Sequence, residues 1–272
     1  MQVVTLGPAG TYSHRAARAV ADEVEFRESV SAIVEAVADG SFDRGVVPIE
    51  NSIEGSVTES LDALANSEVS VTKEIVTPIR HALLAQGPDF DVVASHSQAL
   101  AQCRTYLEEN YPSVKLEAVA STARGVERAR ADPAIAGIGH PDNATGSDGD
   151  DLQIIAEDIQ DRSSNATRFL VVAPESARSD AGGKTSLVVY PNANYPGLLL
   201  ELLEAFAERD INLSRIESRP SGNRLGDYLF HIDADAGLYE ERMQGALDEV
   251  EGIARNGWVR ILGSYDTQHV LY

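Results

Sequence analysis

Five short polar segments carry the residue types needed to hold and transform a small anionic molecule. The first, Gly7-Pro8-Ala9-Gly10-Thr11-Tyr12-Ser13-His14, joins an expected strand to an expected helix. Glycines there let backbone N–H groups approach an anion, and a helix N-terminus adds a favourable partial charge. A plain tight turn accounts for the same residues. The Lys-Ser/Thr pair of a nucleotide-phosphate loop is missing, and the glycine spacing is not that of a dinucleotide site. The second segment runs from Pro48 to Ser56, with Glu50, Asn51 and Ser52 at its centre. Carboxylate, amide and hydroxyl groups clustered where a buried strand ends are placed at the cleft of an open α/β sheet. Glu50 suits either acid–base work or the orientation of a neighbouring arginine. The orienting role is favoured, because a catalytic one requires a perturbed pKa.

Ser95-His96-Ser97-Gln98 and Ser121-Thr122-Ala123 each stand just ahead of a helix. Their hydroxyls are natural N-caps, and capped helix ends can also present N–H groups to a carboxylate. The fifth segment is Asn165-Ala166-Thr167-Arg168-Phe169, entering the apolar run Leu170-Val171-Val172. Arg168 offers a planar fork for a carboxylate, Thr167 a positioned hydroxyl and Phe169 an apolar wall. An internal ion pair between Arg168 and Glu50 is the structural alternative, compatible with substrate binding.

Other chemistries are disfavoured. The six histidines, His14, His81, His96, His140, His231 and His269, show no paired metal-ligand spacing, and no G-x-S-x-G elbow occurs. Cys103 is the sole cysteine, so no disulfide within the chain and no Cys cluster is possible. In a helical run with Ala99, Leu100 and Leu107 it reads as a small core residue.

The elements that must position these groups follow from periodicity. Through residue 173, short β-branched runs alternate with helical stretches, the pattern of an α/β domain with largely parallel strands. Strands are expected at 2–6, 44–49, 69–78, 81–86, 135–139, 152–156 and 168–173. Helices are expected from Ser13 to Ala21, after a Ser56/Glu59 capping box, from Gln98 to Glu109 and from Thr122 to Ala131. Two long extended passages, 69–86 and 158–169, suggest two crossings between two lobes with a cleft between them, against the alternative of one sheet without a hinge. Pro174 to Gly183 is small, polar and glycine-ended, a linker. From Lys184 the order strand, helix, strand, strand, helix, strand is the ferredoxin-like βαββαβ pattern. The expected division is 1–175, a linker 176–183, and 184–266. An acidic Ser147 to Asp151 loop is the one biased tract.

Asp and Glu number 43 against 22 Lys and Arg, a formal charge of -21, and Lys73, Lys115 and Lys184 are the only lysines. No basic stripe exists to release phosphate counterions, so nucleic acid is excluded as a partner. The acidic, lysine-poor surface reads as adaptation to high salt, where screening blunts self-repulsion. The first ten residues lack the basic and apolar regions of a secretion signal, and no apolar run reaches the roughly 20 residues of a membrane span. A cytoplasmic location is expected.

Taken in order, GPAGTYSHRAA, VPIENSIEGSV, SHSQALAQC, the STA segment and NATRF resemble prephenate dehydratase, and NYPGLLLELL with IESRP resembles the ACT regulatory domain that accompanies it. The resemblance spans nearly the whole chain. It implies a two-lobed, periplasmic-binding-protein-like catalytic domain that converts prephenate to phenylpyruvate in phenylalanine biosynthesis, with no cofactor. It also implies a homodimer or homotetramer. By the family's pattern, Thr167, Arg168 and Phe169 match its catalytic Thr-Arg-Phe triplet, with Glu50 a candidate proton donor. Gly10, Thr11, Tyr12, Asn51, Ser52, Ser95, Ser97, Gln98, Thr122 and Asn165 fall in cleft-lining motifs. Asn194, Pro196, Gly197, Leu198, Glu217, Ser218, Arg219 and Pro220 match the segments that bind phenylalanine, usually at a subunit interface. Two positions depart from the pattern. Leu198 stands where the family commonly has alanine, which bears on effector identity, and Ser97 stands where it usually has proline, which bears on loop rigidity. Arogenate dehydratase shares these motifs, and a non-catalytic solute or amino-acid sensor built on the same two folds is the non-enzyme alternative, against which the intact Thr167-Arg168-Phe169 triplet argues.

Overall fold

The computed structural model describes residues 1–146, 149–178 and 180–270. Ser147 and Asp148 of the acidic loop, and Ser179 of the linker, lie outside the described residues.

Two lobes are present. The first is built on a sheet in the order Thr267–His269, Val69–Pro78, Ala166–Pro174, Arg44–Asn51, Val3–Leu6, Val24–Arg27, with Gly55–Ser56 paired to Arg44–Asn51. The second has the order Gln153–Ala156, Ala82–Ala85, Ile135–Gly139, Val92–His96, Lys115–Val119. The chain crosses between them twice, and the crossings are stitched together by Ile79 N–H to Asn165 C=O (2.8 Å) and Ile159 N–H to His81 C=O (3.1 Å). Both sheets are mixed, not largely parallel. The outgoing strand Val69–Pro78 and the returning strand Ala166–Pro174 run antiparallel, as a chain that leaves a lobe and re-enters it beside its own exit must.

Local chemistry explains where the helices begin. Tyr12–Arg18 is capped by Thr11, whose hydroxyl accepts from His14 N–H, so the cap falls two residues before Ser13. The Ser56/Glu59 capping box does not form: Ser56 donates to Glu217, and Glu59 accepts from Ser31 N–H, tying helix Thr58–Asn66 to the start of helix Val30–Ala38. The expected 98–109 helix breaks at the buried Cys103 into Ser97–Gln102 and Arg104–Asn110.

The C-terminal domain is the expected βαββαβ unit, a sheet in the order Leu213–Pro220, Tyr228–Ala234, Lys184–Tyr190, Trp258–Tyr265 with helices Leu198–Ala207 and Glu241–Ile253 on one face. Its other face is not open to solvent. Val188, Leu229, Leu262 and Tyr265 join one buried cluster with Leu61, Leu64, Val69 and Val71 of the first lobe. The strand Thr267–His269 then returns to pair with Val69–Pro78. The two modules thus share a core across the linker.

Candidate active site

The site grows from the returning strand. Successive side chains on a strand point to opposite faces, so Thr167 and Phe169 face the space between the lobes while Arg168 faces away. The neighbouring strand Arg44–Asn51 carries a bulge opposite Arg168/Phe169, so Asn51 pairs with Thr167 and Pro48 with Phe169. The extra residue re-aims the strand, and Pro48 and Asn51, three apart, both reach the cavity.

Asn51 is the hub. Its Oδ1 accepts from the N–H groups of Ile53 (2.9 Å) and Glu54 (3.2 Å), which obliges its NH₂ to face the other way. That NH₂ donates to Thr167 Oγ1 and to Asn165 Oδ1, each at 3.0 Å. Asn165 in turn donates to Gln102 Oε1 (2.9 Å), which also lies 3.0 Å from His81 Nε2. With Gln102 Oε1 accepting from both, His81 carries its proton on Nε2. Burial lowers the His81 pKa and keeps the ring neutral.

A cavity of about 440 Å³ opens in front of Thr167, a size suited to one small ring compound. Asn51, Gln98, Gln102, Thr122, Asn165 and Thr167 line it with polar groups, and Pro48, Val57, Ile79 and Phe169 give apolar wall. Thr11 and Tyr12 also line it, the Tyr12 hydroxyl donating to the Arg80 carbonyl and its ring meeting His81 and His140 edge-on. Among the described residues no arginine or lysine lines this cavity.

Other expected site residues lie elsewhere. Gly10 (φ 81°) turns the chain beside the cavity, its N–H donating to His14 Nδ1, while its carbonyl accepts from Asn143. Ser52 staples the crossing strand through Ser164 C=O and Ala166 N–H. Ser95 is buried and donates to Ile138 C=O at 2.7 Å. Ser97 lines the outer mouth with Arg162, not the cavity facing Thr167.

Arg168 and Glu50 require correction as substrate contacts. Arg168 sits on the reverse face of the sheet, bound to Glu50 (2.8 Å), Glu74 (2.9 Å) and Asp233 (2.8 Å) of the C-terminal domain. Its pKa is raised: burial works against the charge, but Asp233 and Glu74 outweigh it. Glu50, ion-paired there, does not face the cavity and is not placed to protonate a ligand in it.

In the C-terminal domain, Asn194, Gly197 and Leu198 line a second cavity of about 370 Å³ with Tyr195, Tyr228 and Phe230. Pro196 precedes the helix, which starts at Leu198 because Gly197 has φ 97°. Glu217 and Arg219 turn instead toward the first lobe, reaching Ser56 (2.9 Å) and Asp62 (2.8 Å). Ser218 and Pro220, on the opposite side of that strand, are exposed. One protomer does not bring these two segments into a single cavity.

A polar cleft between two lobes, with a ferredoxin-like domain packed on one of them, defines a small-molecule enzyme bearing a ligand-sensing domain. The prephenate dehydratase family matches residues 3–177, and the ACT domain family matches residues 193–244. A prephenate dehydratase of Lactococcus lactis is 37% identical over 274 residues, covering 97% of this chain and 97% of that one. A bifunctional chorismate mutase/prephenate dehydratase of Aquifex aeolicus is 37% identical over 271 residues, covering 97% and 73%. The solved structure of prephenate dehydratase from Arthrobacter aurescens, in complex with L-Phe, superposes with a TM-score of 0.87 at 36% identity, covering 98% and 90%. The chain belongs to the prephenate dehydratase family. Its reaction is the decarboxylating dehydration of prephenate to phenylpyruvate.

Proposed function

We propose that Thr167 is the catalytic hydrogen-bond donor to the leaving hydroxyl, and that neutral donors, not an arginine, hold the prephenate dianion. The observation that carries this is the Asn51–Thr167 hydrogen bond at 3.0 Å. Because Asn51 can only donate there, the Thr167 proton is left to point into the cavity. As the ring carboxylate departs as carbon dioxide, its bonding electrons move into the ring and expel the hydroxyl, making the ring aromatic. Thr167 stabilises the charge growing on that oxygen. Threonine is a weak acid, so the proton it gives the departing oxygen is replaced by one from water, and the hydroxide so formed leaves to solvent beside the carbon dioxide. The carboxylates meet amide and hydroxyl donors at Gln98, Gln102 and Thr122, together with backbone N–H groups at helix starts. The test is phenylpyruvate formation from prephenate by the purified chain, side by side with arogenate: faster turnover of arogenate would reassign the substrate, and no turnover of either would leave a sensor.

The ACT domain is read as a phenylalanine site that inhibits the enzyme. The L-Phe complex of the Arthrobacter relative and the cavity at Asn194, Gly197 and Leu198 support this. The effector segments lie apart in one protomer, which fits a site completed by a second copy in a homodimer or homotetramer. A cytoplasmic, high-salt setting agrees with the charge of -21, and no helix among the described residues is long and apolar enough to cross a membrane.

A further inference from the structure

We infer that Arg168 is a positioning residue for Thr167 and that the ACT domain, through Asp233, is part of what holds it in place. The inference rests on the catalytic reading of Thr167. Arg168 follows Thr167 directly and points to the other face of the same strand. Its guanidinium spans three carboxylates: Glu50 on the strand bearing Asn51, Glu74 on the outgoing strand, and Asp233 on the ACT strand Tyr228–Ala234. It therefore ties together the strand of Thr167, the strand of its partner Asn51, and the regulatory domain.

The cluster is balanced in charge and dense in hydrogen bonds. Lys184 donates to Glu74 (3.1 Å), Thr267 donates to Glu74 (2.8 Å), and Arg215 grips Asp233 with two bonds (2.8 and 3.0 Å). Ser186 donates to Asp233 Oδ1 at 2.6 Å, the oxygen that Arg215 Nη2 also reaches, while Arg168 and Arg215 Nε share Oδ2. Glu50, Glu74 and Asp233 balance Arg168, Lys184 and Arg215, and Asp233 has no solvent exposure. With Asp233 and Glu74 buried and each held by two cations, the cluster has one good arrangement and fixes the strands it joins, although Arg215 Nη1 is left without a partner. The ACT domain supplies Lys184, Ser186, Arg215 and Asp233. Without them Arg168 would lose a carboxylate and Glu74 a cation. The domain usually read as a sensor thereby completes the scaffold of the catalytic strand.

The test uses the full chain on prephenate without effector, comparing Arg168→Lys, Asp233→Asn and the double variant, with near-ultraviolet circular dichroism to confirm folding. Lysine keeps the charge but cannot span three carboxylates. Arg168→Lys is expected to lower kcat about 10-fold or more while KM stays within about 2-fold, because no substrate contact is lost. Asp233→Asn should show a smaller loss of the same kind. The double variant should be no worse than Arg168→Lys alone, since both act through one contact. A raised KM at unchanged kcat in Arg168→Lys would put the guanidinium on the substrate and overturn the inference. Losses that multiply in the double variant would also overturn it. Should Asp233→Asn not fold, Arg215→Lys, which loosens the two-bond grip on Asp233, carries the same comparison: a kcat-selective loss supports the inference and an unchanged kcat overturns it. Absence of turnover in the unsubstituted chain sinks both this inference and the catalytic reading; normal turnover with the wrong pattern sinks this inference alone.

Discussion

Thr167 and Arg168 are neighbours in sequence and face opposite sides of one strand, the first toward the Asn51 amide in the interlobe cavity and the second toward Asp233 in the regulatory domain. In the proposed reading, chemistry and scaffold are separated by a single peptide bond. Thr167→Ala removes the donor to the leaving oxygen without touching the ion cluster. Its kcat is expected to fall by about 10² or more, with the fold intact and KM little changed. Thr167→Ser, which keeps the hydroxyl, should retain most of the rate. Near-normal phenylpyruvate formation by Thr167→Ala would reject the role.

Asn51→Asp tests the direction of the Asn51–Thr167 bond. A carboxylate in that place accepts where the amide donates, so it draws the Thr167 proton toward itself and away from the leaving group. It also sets an oxygen against Asn165 Oδ1, now 3.0 Å from the Asn51 nitrogen. The variant should lose at least as much kcat as Thr167→Ala despite its near-identical shape, and should recover part of it as pH falls and the acid protonates. A rate indifferent to pH and close to the parent would show that the bond's polarity is irrelevant.

Much of this architecture was legible from periodicity and much was not. Val69–Pro78, Ile135–Gly139 and Thr122–Ala131 fall at their expected bounds, because β-branched runs and a capped helical pattern declare themselves locally. Val24–Arg27 and Lys115–Val119 went unread: both are short edge strands of mixed polarity, formed by pairing with a neighbour. In the site, Asn51, Gln98, Asn165 and Thr167 converge as their motifs suggested. Gln102, one helical turn beyond Gln98, had a signal in its spacing. His81 had none beyond its place after Thr77-Pro78. The strand period of two already separated Thr167 from Arg168, but which faced the cleft depended on register with distant strands. Asp233 lies on a sheet face that a lone ferredoxin-like module would expose; burial comes from the first lobe packing over it.

Acid should destabilise this protein through the buried histidines His231 and His140, whose pKa values burial holds at about 4. The His231 ring is fully buried on that same sheet face, and neither nitrogen has a hydrogen-bond partner. Burial and then the nearby Arg215 lower its pKa from 6.5 to about 4, against the opposing pull of Asp233 and Asp62; Arg219 adds to the lowering. Between these values the unfolded chain binds a proton that the folded one refuses, so stability falls with falling pH, by about 1.4 kcal/mol per pH unit for one such group. Asp233 and Glu74, whose carboxyl pKa values arginine and lysine charges hold low despite burial, contribute further loss only below about pH 4. Thermal melts from pH 7 to 4 should therefore show a descending Tm that His231→Leu makes less steep, the remaining slope coming from His140. An equal slope in that variant would exonerate the histidine.

Phenylalanine should raise Tm while lowering the rate. A ligand bound only by the folded protein stabilises it by RT ln(1 + [L]/Kd), about 2.7 kcal/mol at a hundredfold excess over Kd. Leu198 lines the second cavity where the family commonly has alanine, so its side chain occupies part of the space offered to an aromatic ring. Leu198→Ala enlarges that space and should change phenylalanine affinity without altering kcat or KM in its absence, since Leu198 touches neither the Thr167 cavity nor the Arg168 cluster. Titration calorimetry on both forms reads this directly. No binding heat and unchanged kinetics at millimolar phenylalanine in the unsubstituted chain would remove phenylalanine as the effector, and equal affinity in the two forms would remove Leu198 as a determinant of the pocket.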